Sequence, residues 1–235
     1  MVVSGQVAVV TGANRGIGLE VSRQLAERNV HVVLTSRDKT KGQQALNHLL
    51  DRSLSVSLFQ LDVTNSDAAT RLCGHLVKTF GRVDILVNNA AIYLDEGDKL
   101  LDIPLETLRN SFDANFFGAY SLCKTLIPVM KKNGYGRVVN VSSGYGAMDA
   151  MNARTGAYKL SKLALNGLTQ ILASELKGTN IKVNAVDPGW VRTEMGGPSA
   201  TRSPQEAARG IVWAATLDAD GPTGKFLRDT KIVAW

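Results

Sequence analysis

The sequence predicts an α/β fold of the doubly wound kind, a parallel sheet of about seven strands with helices on both faces. Three observations predict it. Short apolar runs alternate with helix-period segments along all 235 residues. Those runs are continuous rather than alternating, the pattern of strands buried on both faces. The first run passes through a glycine-rich turn directly into an amphipathic segment, which is how a βαβ unit begins.

Taken in order, "VAVVT" (7–11) is expected as the first strand and 17–28 as the helix after it. Residues 30–36 lead into a helix over 39–50, and 56–63 into one over 67–80. Residues 83–91 precede a polar loop and a long helical region over 105–132. Residues 136–143 precede a helix over 158–176, and a strand over 181–190 comes after it. A last helix over 204–217 and a short "GKFLRD" complete the pattern. No repeat, low-complexity tract or linker intervenes, so 1–235 is expected as a single domain with a substrate loop at about 190–205.

Hydrophobic content of 44%, charged content of 20% and only 6 prolines exclude a disordered chain. No apolar run reaches the roughly 18 residues of a membrane span, and no membrane partner is expected. The start, "MVVSGQVAVVTG", lacks the basic and apolar regions of a secretory signal, so a cytoplasmic location is expected. Cys73 and Cys123 stand far apart outside any CxxC pair and read as reduced thiols. His31, His48 and His75 lack ligand spacing, so no metal is expected. The net charge of +6 comes from scattered Lys and Arg, which argues against nucleic acid and for a basic surface or an anionic ligand.

"VVTGANRGIGLE" places Gly12, Gly16 and Gly18, with Asn14, Arg15 and Ile17, between the first strand and first helix. Glycines there let the backbone approach a phosphate, and the helix N-terminus offers N–H groups and a positive dipole end to a pyrophosphate. An acidic residue about 20 positions beyond the first glycine would bind the ribose hydroxyl of NAD. Here the second strand ends Thr35-Ser36-Arg37-Asp38, with Lys41 a turn later. A guanidinium suits a 2′-phosphate through bidentate, charge-assisted bonds, so NADPH is favoured over NADH. Asp38 dissents unless it caps the following helix. Asp62 and Val63 end the third strand, where an adenine edge can be met, and Asn88 and Asn89 end the fourth. Either asparagine taken alone reads as a turn cap.

Tyr158 and Lys162 stand i, i+4 and share a helix face. A nearby ammonium stabilises a phenolate and brings its pKa towards the working range. Ser143, ending the preceding strand, is placed to hydrogen-bond the same carbonyl oxygen. Tyr145 is assigned to the loop wall and Lys159 to the surface.

These motifs resemble the short-chain dehydrogenase/reductase family over nearly the whole chain, which implies a Rossmann fold. The pattern TGxxxGxG reads Thr11–Gly18, and NNAG reads "NNAA" with Ala91 in place of the glycine. The family's catalytic asparagine matches Asn115, its serine Ser143, and its YxxxK Tyr158 and Lys162. Its PGxVxT matches Pro188, Gly189, Val191 and Thr193, which in the family line the nicotinamide face. The resemblance further implies that Lys162 holds the nicotinamide ribose and that Asn115 positions a water relaying protons to it.

Within the family, "VVLTSRD", "ANFFG" and "PGWVRTEMGG" are similar to the NADPH-dependent carbonyl reductases, where the residues matching Arg15 and Arg37 contact the 2′-phosphate. The implied activity is reduction of a ketone or aldehyde by NADPH, with Tyr158 as general acid. NAD(H)-linked alcohol oxidation and a non-catalytic NADPH-binding regulator are the alternatives. Animal members carry a long insertion before the catalytic tyrosine. Here only 15 positions separate Ser143 from Tyr158. The uncovered pocket is expected to be lined by Tyr93, Leu94, Tyr145, Met148, Met151 and Trp190.

Apolar residues of the Tyr158 helix (Leu160, Leu163, Ala164, Leu165, Leu168, Ile171, Leu172) spread more widely than one sheet-facing stripe needs. A homodimer through the Asn115 and Tyr158 helices would explain the excess. The C-terminal stretch resembles that of a monomeric branch, so a monomer stays open.

Overall fold

A computed structural model describes residues 5–235. The strands are β1 (Val7–Val10), β2 (His31–Ser36), β3 (Val56–Gln60), β4 (Ile85–Asn88), β5 (Gly136–Val141), β6 (Ile181–Asp187), β7 (Phe226–Arg228) and β8 (Lys231–Val233). The helices are α1 (Gly16–Ala26), α2 (Lys39–Leu50), α3 (Ala68–Phe80), α4 (Leu105–Phe112), α5 (Gly118–Asn133), α6 (Gly156–Glu175) and α7 (Pro204–Ala215). One sheet runs β3-β2-β1-β4-β5-β6-β7-β8. Every neighbour is parallel except β8, which returns antiparallel on β7. This is the expected doubly wound Rossmann arrangement with one strand more than foreseen. β8 is short and half exposed, so its residues carry no buried-strand signature.

Alternate residues of the central strands serve opposite layers. Ala8 and Val10 pack with Val21 and Leu25 of α1 and Ile211 and Val212 of α7. Val7 and Val9 pack with Leu72 and Leu76 of α3 and Leu122, Leu126 and Met130 of α5. Both faces are therefore apolar, which is why the runs do not alternate.

The strand order reverses between β1 and β4. In open α/β sheets ligands bind outside the carboxyl ends of the strands at such a switch point. The structure sharpens the expected boundaries just there. Thr11, residues 61–63, 89–91, 142–143 and 188–190 read as strand but lie beyond the strand ends, where Thr11, Leu61 and Ser142 each make a last backbone bond to the neighbouring strand. They are the residues that turn outward to build the cleft described below.

The long helical region is continuous, but residues Asp113–Phe117 form a π-helical segment between α4 and α5. Such insertions concentrate at functional sites. Asn115 lies within it.

Candidate active site

A cleft of about 990 Å³ lies along the carboxyl ends of the sheet. Its phosphate end is built by the β1–α1 turn. Gly12 has φ +61°, and a Cβ there would stand 3.0 Å from the Cα of Ala90. At Gly18 a Cβ would stand 2.5 Å from the Gly12 carbonyl oxygen, so only glycine lets α1 start this close to the turn. Asn89 pins the turn from β4: its Nδ2 donates to the carbonyls of Thr11 (2.8 Å) and Gly12 (3.2 Å). The Thr11 hydroxyl oxygen accepts the N–H groups of Asn89 and Ala90, both at 2.9 Å. Asn88 turns the other way, donating to Asn140 Oδ1 at 2.8 Å in the core.

The first turn of α1 carries no acidic residue and no side-chain cap. Gly16 and Ile17 bring it to the cleft wall beside Gly12, Asn14, Arg15 and Arg37. An uncapped helix N-terminus flanked by two arginines is chemically matched to a pyrophosphate and a further phosphate. Asp38 does not oppose this, since its Oδ1 caps α2 by accepting the Lys41 N–H at 3.0 Å. Arg15 pairs with Glu194 of the loop after β6, and both line the cleft. Asp62 accepts the N–H (3.0 Å) and hydroxyl (2.8 Å) of Thr64, which fixes the β3 end beside Val63. Asp62, Val63, Pro188, Gly189, Val191 and Thr193 all line the cleft. Gly18 and Lys41 do not: Gly18 acts through packing, and Lys41 is exposed on α2.

At the other end stand Ser143, Tyr158 and Lys162. Lys162 is buried; its Nζ donates to the Val141 carbonyl at 2.8 Å and lies 5.6 Å from the Tyr158 ring centre. Burial holds this ammonium down to about 8. Burial also pushes the Tyr158 phenol well up; a hydrogen bond with Ser143 pulls it down by less, and Tyr93, Asp187 and Tyr145 add to the rise. The lowering expected from Lys162 is thus not found in the chain itself: desolvation dominates, and Lys162 is not among the groups that act on the phenol. A phenol so placed keeps its proton at neutral pH. Ser143 Oγ accepts the Tyr145 N–H at 3.1 Å, which leaves its own proton for the Tyr158 oxygen or for a carbonyl oxygen seated beside it.

Asn115 is buried at the base of this group, but both of its polar atoms are taken. Oδ1 accepts the Ile92 N–H at 2.8 Å, and Nδ2 donates to the Ile92 carbonyl and Ser161 Oγ, each at 3.0 Å. Its side chain therefore ties the post-β4 loop to α6, and it is the neighbouring Ala114 that lines the cleft.

Three features escaped the sequence. Asp95, buried in the loop after β4, caps α6 from 62 positions away: Oδ2 accepts the Ala157 N–H at 2.6 Å and Oδ1 the Tyr158 N–H at 3.3 Å. No local signal marks a cap at such a distance. Lys159 is not a surface residue. It is buried, and its Nζ donates to Asn152 Oδ1 (2.6 Å) and the Asn152 carbonyl (3.2 Å), closing the loop before α6. Asp187 and Arg228 pair across the ends of β6 and β7 and line the cleft.

The expected pocket is realised in part. Tyr93, Tyr145 and Trp190 line the cleft, with the Tyr93 and Tyr145 ring centres 4.6 and 6.5 Å from that of Tyr158. Leu94, Met148 and Met151 do not. Leu94, in the loop after β4, faces solvent; so does Met148, which starts a 3₁₀ turn (Met148–Ala150) beyond the one that keeps Gly144 and Tyr145 at the cleft (Gly144–Gly146). The loop after β6 folds on itself: Trp190 Nε1 donates to the Gly196 carbonyl at 2.8 Å, and Arg202 N–H to the Trp190 carbonyl at 3.0 Å.

Among the described residues no cluster of ligating side chains could hold a metal, and no helix is long and apolar enough to cross a membrane. Fold and site together define a dinucleotide-binding oxidoreductase. The profile of the short chain dehydrogenases matches residues 6–203, and the chain belongs to that family. It is 36% identical to carbonyl reductase (NADPH) 1 of Mus musculus, with 99% of each chain covered, and 36% identical to the Homo sapiens protein of that name, with 97% of this chain and 98% of the other covered. The mouse alignment runs over 279 residues while this chain has 235, so the mouse protein carries a stretch with no counterpart here. Among solved structures, salutaridine reductase from Papaver somniferum superposes with TM-score 0.83 at 28% identity (94% of this chain, 99% of that one). An actinorhodin polyketide ketoreductase solved with NADPH superposes with TM-score 0.88 at 27% identity, covering 97% of each chain.

Proposed function

We propose that this chain reduces ketones or aldehydes with NADPH, Tyr158 being the proton donor. The observation that carries the proposal is one cleft with two matched ends. Buried Tyr158 stands between Ser143 and Lys162 at one end, and Arg15 and Arg37 flank the uncapped start of α1 at the other. NADPH, held by the β1–α1 turn, the β3 and β4 ends and Pro188–Thr193, would supply the hydride. The carbonyl reductase relatives and the NADPH-bound neighbour support the same reading.

Tyr158 gives its proton to the carbonyl oxygen as negative charge develops there, and Ser143 donates a second hydrogen bond to that oxygen. Lys162 is charged at neutral pH and replaces the proton that Tyr158 gives up. Asn115 is a positioning residue, fixing the post-β4 loop against α6, and Asp95 fixes the first turn of that helix. Incubation with NADPH and a panel of aryl ketones, quinones, terpenoid ketones and aldehydes should yield the reduced products. Tight NADPH binding with no product from any of them would leave a non-catalytic NADPH-binding protein instead.

Lys162 gives the proposal a pH signature. With the ammonium held at about 8, it is protonated below that pH and neutral above it. kcat for reduction should be flat through neutrality and fall as pH rises through about 8, approaching tenfold per unit. Alcohol oxidation by the same enzyme should rise over that interval. A pH profile of both directions checks this; a reduction rate that climbs above pH 8 would remove Lys162 from the relay.

The α6 surface supports a homodimer. Leu165 and Leu168 are buried within the chain against Ala119 and Phe116, beside the buried polar Ser161, Lys162, Asn166 and Thr169, while Leu160, Leu163 and Ala164 are only partly covered and Ile171 is exposed. Phe117, which ends the π-helical segment, and Tyr120 in the first turn of α5 are exposed too. Apolar groups on this scale favour burial by a second copy. Light scattering at micromolar concentration should give the dimer mass, and a monomer mass would reject this interface.

A further inference from the structure

We propose that Arg228 is a specificity-determining residue that donates a hydrogen bond to a second, neutral oxygen on the carbonyl substrate. The site would then prefer keto esters and diketones to simple ketones. This rests on the carbonyl reductase reading above and names the substrate class for the same site.

The register of β6 and β7 places Asp187 and Arg228 directly beside one another at the carboxyl edge of the sheet. Arg228 Nε donates to Asp187 Oδ2 at 2.7 Å, and Nη2 donates to the same oxygen. The other oxygen, Oδ1, accepts the Gly189 N–H at 2.9 Å. Asp187 is therefore buried and fully engaged, and it holds one side of the guanidinium. The opposite nitrogen, Nη1, has no protein partner among the described residues. About half of the Arg228 side chain is exposed (52%), and it lines the cleft with Ser143, Tyr145, Tyr158 and Trp190.

Gly144 leaves room for this arrangement. A Cβ at that position would stand 3.1 Å from Arg228 Nη2 and 3.2 Å from Asp187 Oδ2. The guanidinium thus occupies the space beside the residue that follows Ser143, close to where the reacting carbonyl oxygen is held. Asp187 is also near enough to act on the Tyr158 phenol. A planar guanidinium clamped on one side is a preorganised donor on the other. The walls around it are the rings of Tyr93, Tyr145 and Trp190, which suit an organic chain but offer no equivalent cation. Because Asp187 neutralises the arginine, an anionic group would face a carboxylate a few ångströms behind its partner. An ester or ketone oxygen meets no such opposition, so the second acceptor is a neutral one.

The test compares ethyl acetoacetate with 2-heptanone, which has the same chain length and no ester. Arg228→Leu alone would leave Asp187 charged and unpaired, so the variant is the double change Asp187→Asn with Arg228→Leu. The amide oxygen introduced by the first change can still accept the Gly189 N–H. Wild-type enzyme should favour the keto ester. Whatever the loss of the Asp187 charge does to both substrates through Tyr158, the double variant should lose about tenfold or more in kcat/KM for ethyl acetoacetate relative to 2-heptanone, mostly through KM. Arg228→Lys keeps a partner for Asp187 but lacks the outward N–H, and it makes the same comparison should the double variant not fold. An equal loss for both substrates would show that the pair only supports the fold, and no loss for either would also overturn the inference. A wild-type enzyme that reduces 2-heptanone without favouring the ester overturns the inference alone. One that reduces neither but does reduce another carbonyl of the panel also overturns the inference alone, and only a failure on every carbonyl removes the carbonyl reductase reading with it.

Discussion

Tyr158→Phe should lower kcat by about a thousandfold or more, as expected when a general acid that also stabilises the developing oxyanion is lost. NADPH binding should survive. The substitution removes one oxygen and keeps the ring, so packing against Tyr93 is retained and no cavity forms. Neither neighbouring phenol can take over. The Tyr93 hydroxyl is hydrogen-bonded to Thr155 Oγ1 at 3.2 Å, and Tyr145 is exposed on the loop, 6.5 Å away between ring centres. Single-turnover mixing with a ketone, alongside a fluorescence titration of NADPH, separates the two effects. Near wild-type turnover in the variant would reassign the proton donor.

Arg37→Asp should reverse the cofactor preference. Arg37 is exposed at the end of β2, lines the cleft, and among the described residues commits only its backbone carbonyl, which accepts the Gln60 side chain at 3.1 Å. Its guanidinium is free for a 2′-phosphate. A hydrogen bond to a charged group contributes about 1.5–3 kcal/mol, so losing it and adding a like charge should cost NADPH at least about a hundredfold in kcat/KM. The new carboxylate can accept from a ribose 2′-hydroxyl, so NADH should improve. Asp38 cannot fill that role in the native chain while its side chain caps α2. Initial rates with both cofactors decide it, and an unchanged ratio would show that Arg37 does not read the phosphate.

The layered fold was legible because its causes are local. Continuous apolar runs come from burial on both faces, and Lys39–Leu50 is bounded in the sequence by its own cap, Asp38. What exceeded the sequence was non-local. Asp95 reaches α6 only once the sheet has brought the β4 loop beside it, and Arg228 meets Asp187 only through the β6–β7 register. Lys159 shows the limit of helical-wheel reasoning. It does point away from Tyr158, but a loop lies on that side and uses its three donors. Strand ends were overextended for a related reason: Thr11, Asn89 and Ser143 have strand neighbours in sequence, yet their side chains serve the cleft rather than the ladder.

The site residues divide in the same way. The glycine turn, Arg37, Ser143, Tyr158 and Lys162 are recognisable as a pattern, and the structure brings them to one cleft. Their ionisation was not recognisable. Spacing alone suggests that Lys162 lowers the tyrosine, whereas burial raises the phenol and depresses the ammonium together. A tyrosine that holds its proton suits reduction, in which the proton is given away.

The most direct test of NADPH-linked carbonyl reduction measures cofactor oxidation and alcohol formation together, with the best ketone of the panel and either NADPH or NADH. The proposed mechanism requires equal amounts of alcohol formed and NADPH oxidised, at a rate well above that with NADH. Binding of NADPH with no alcohol formed, or a faster reaction with NADH, would contradict it.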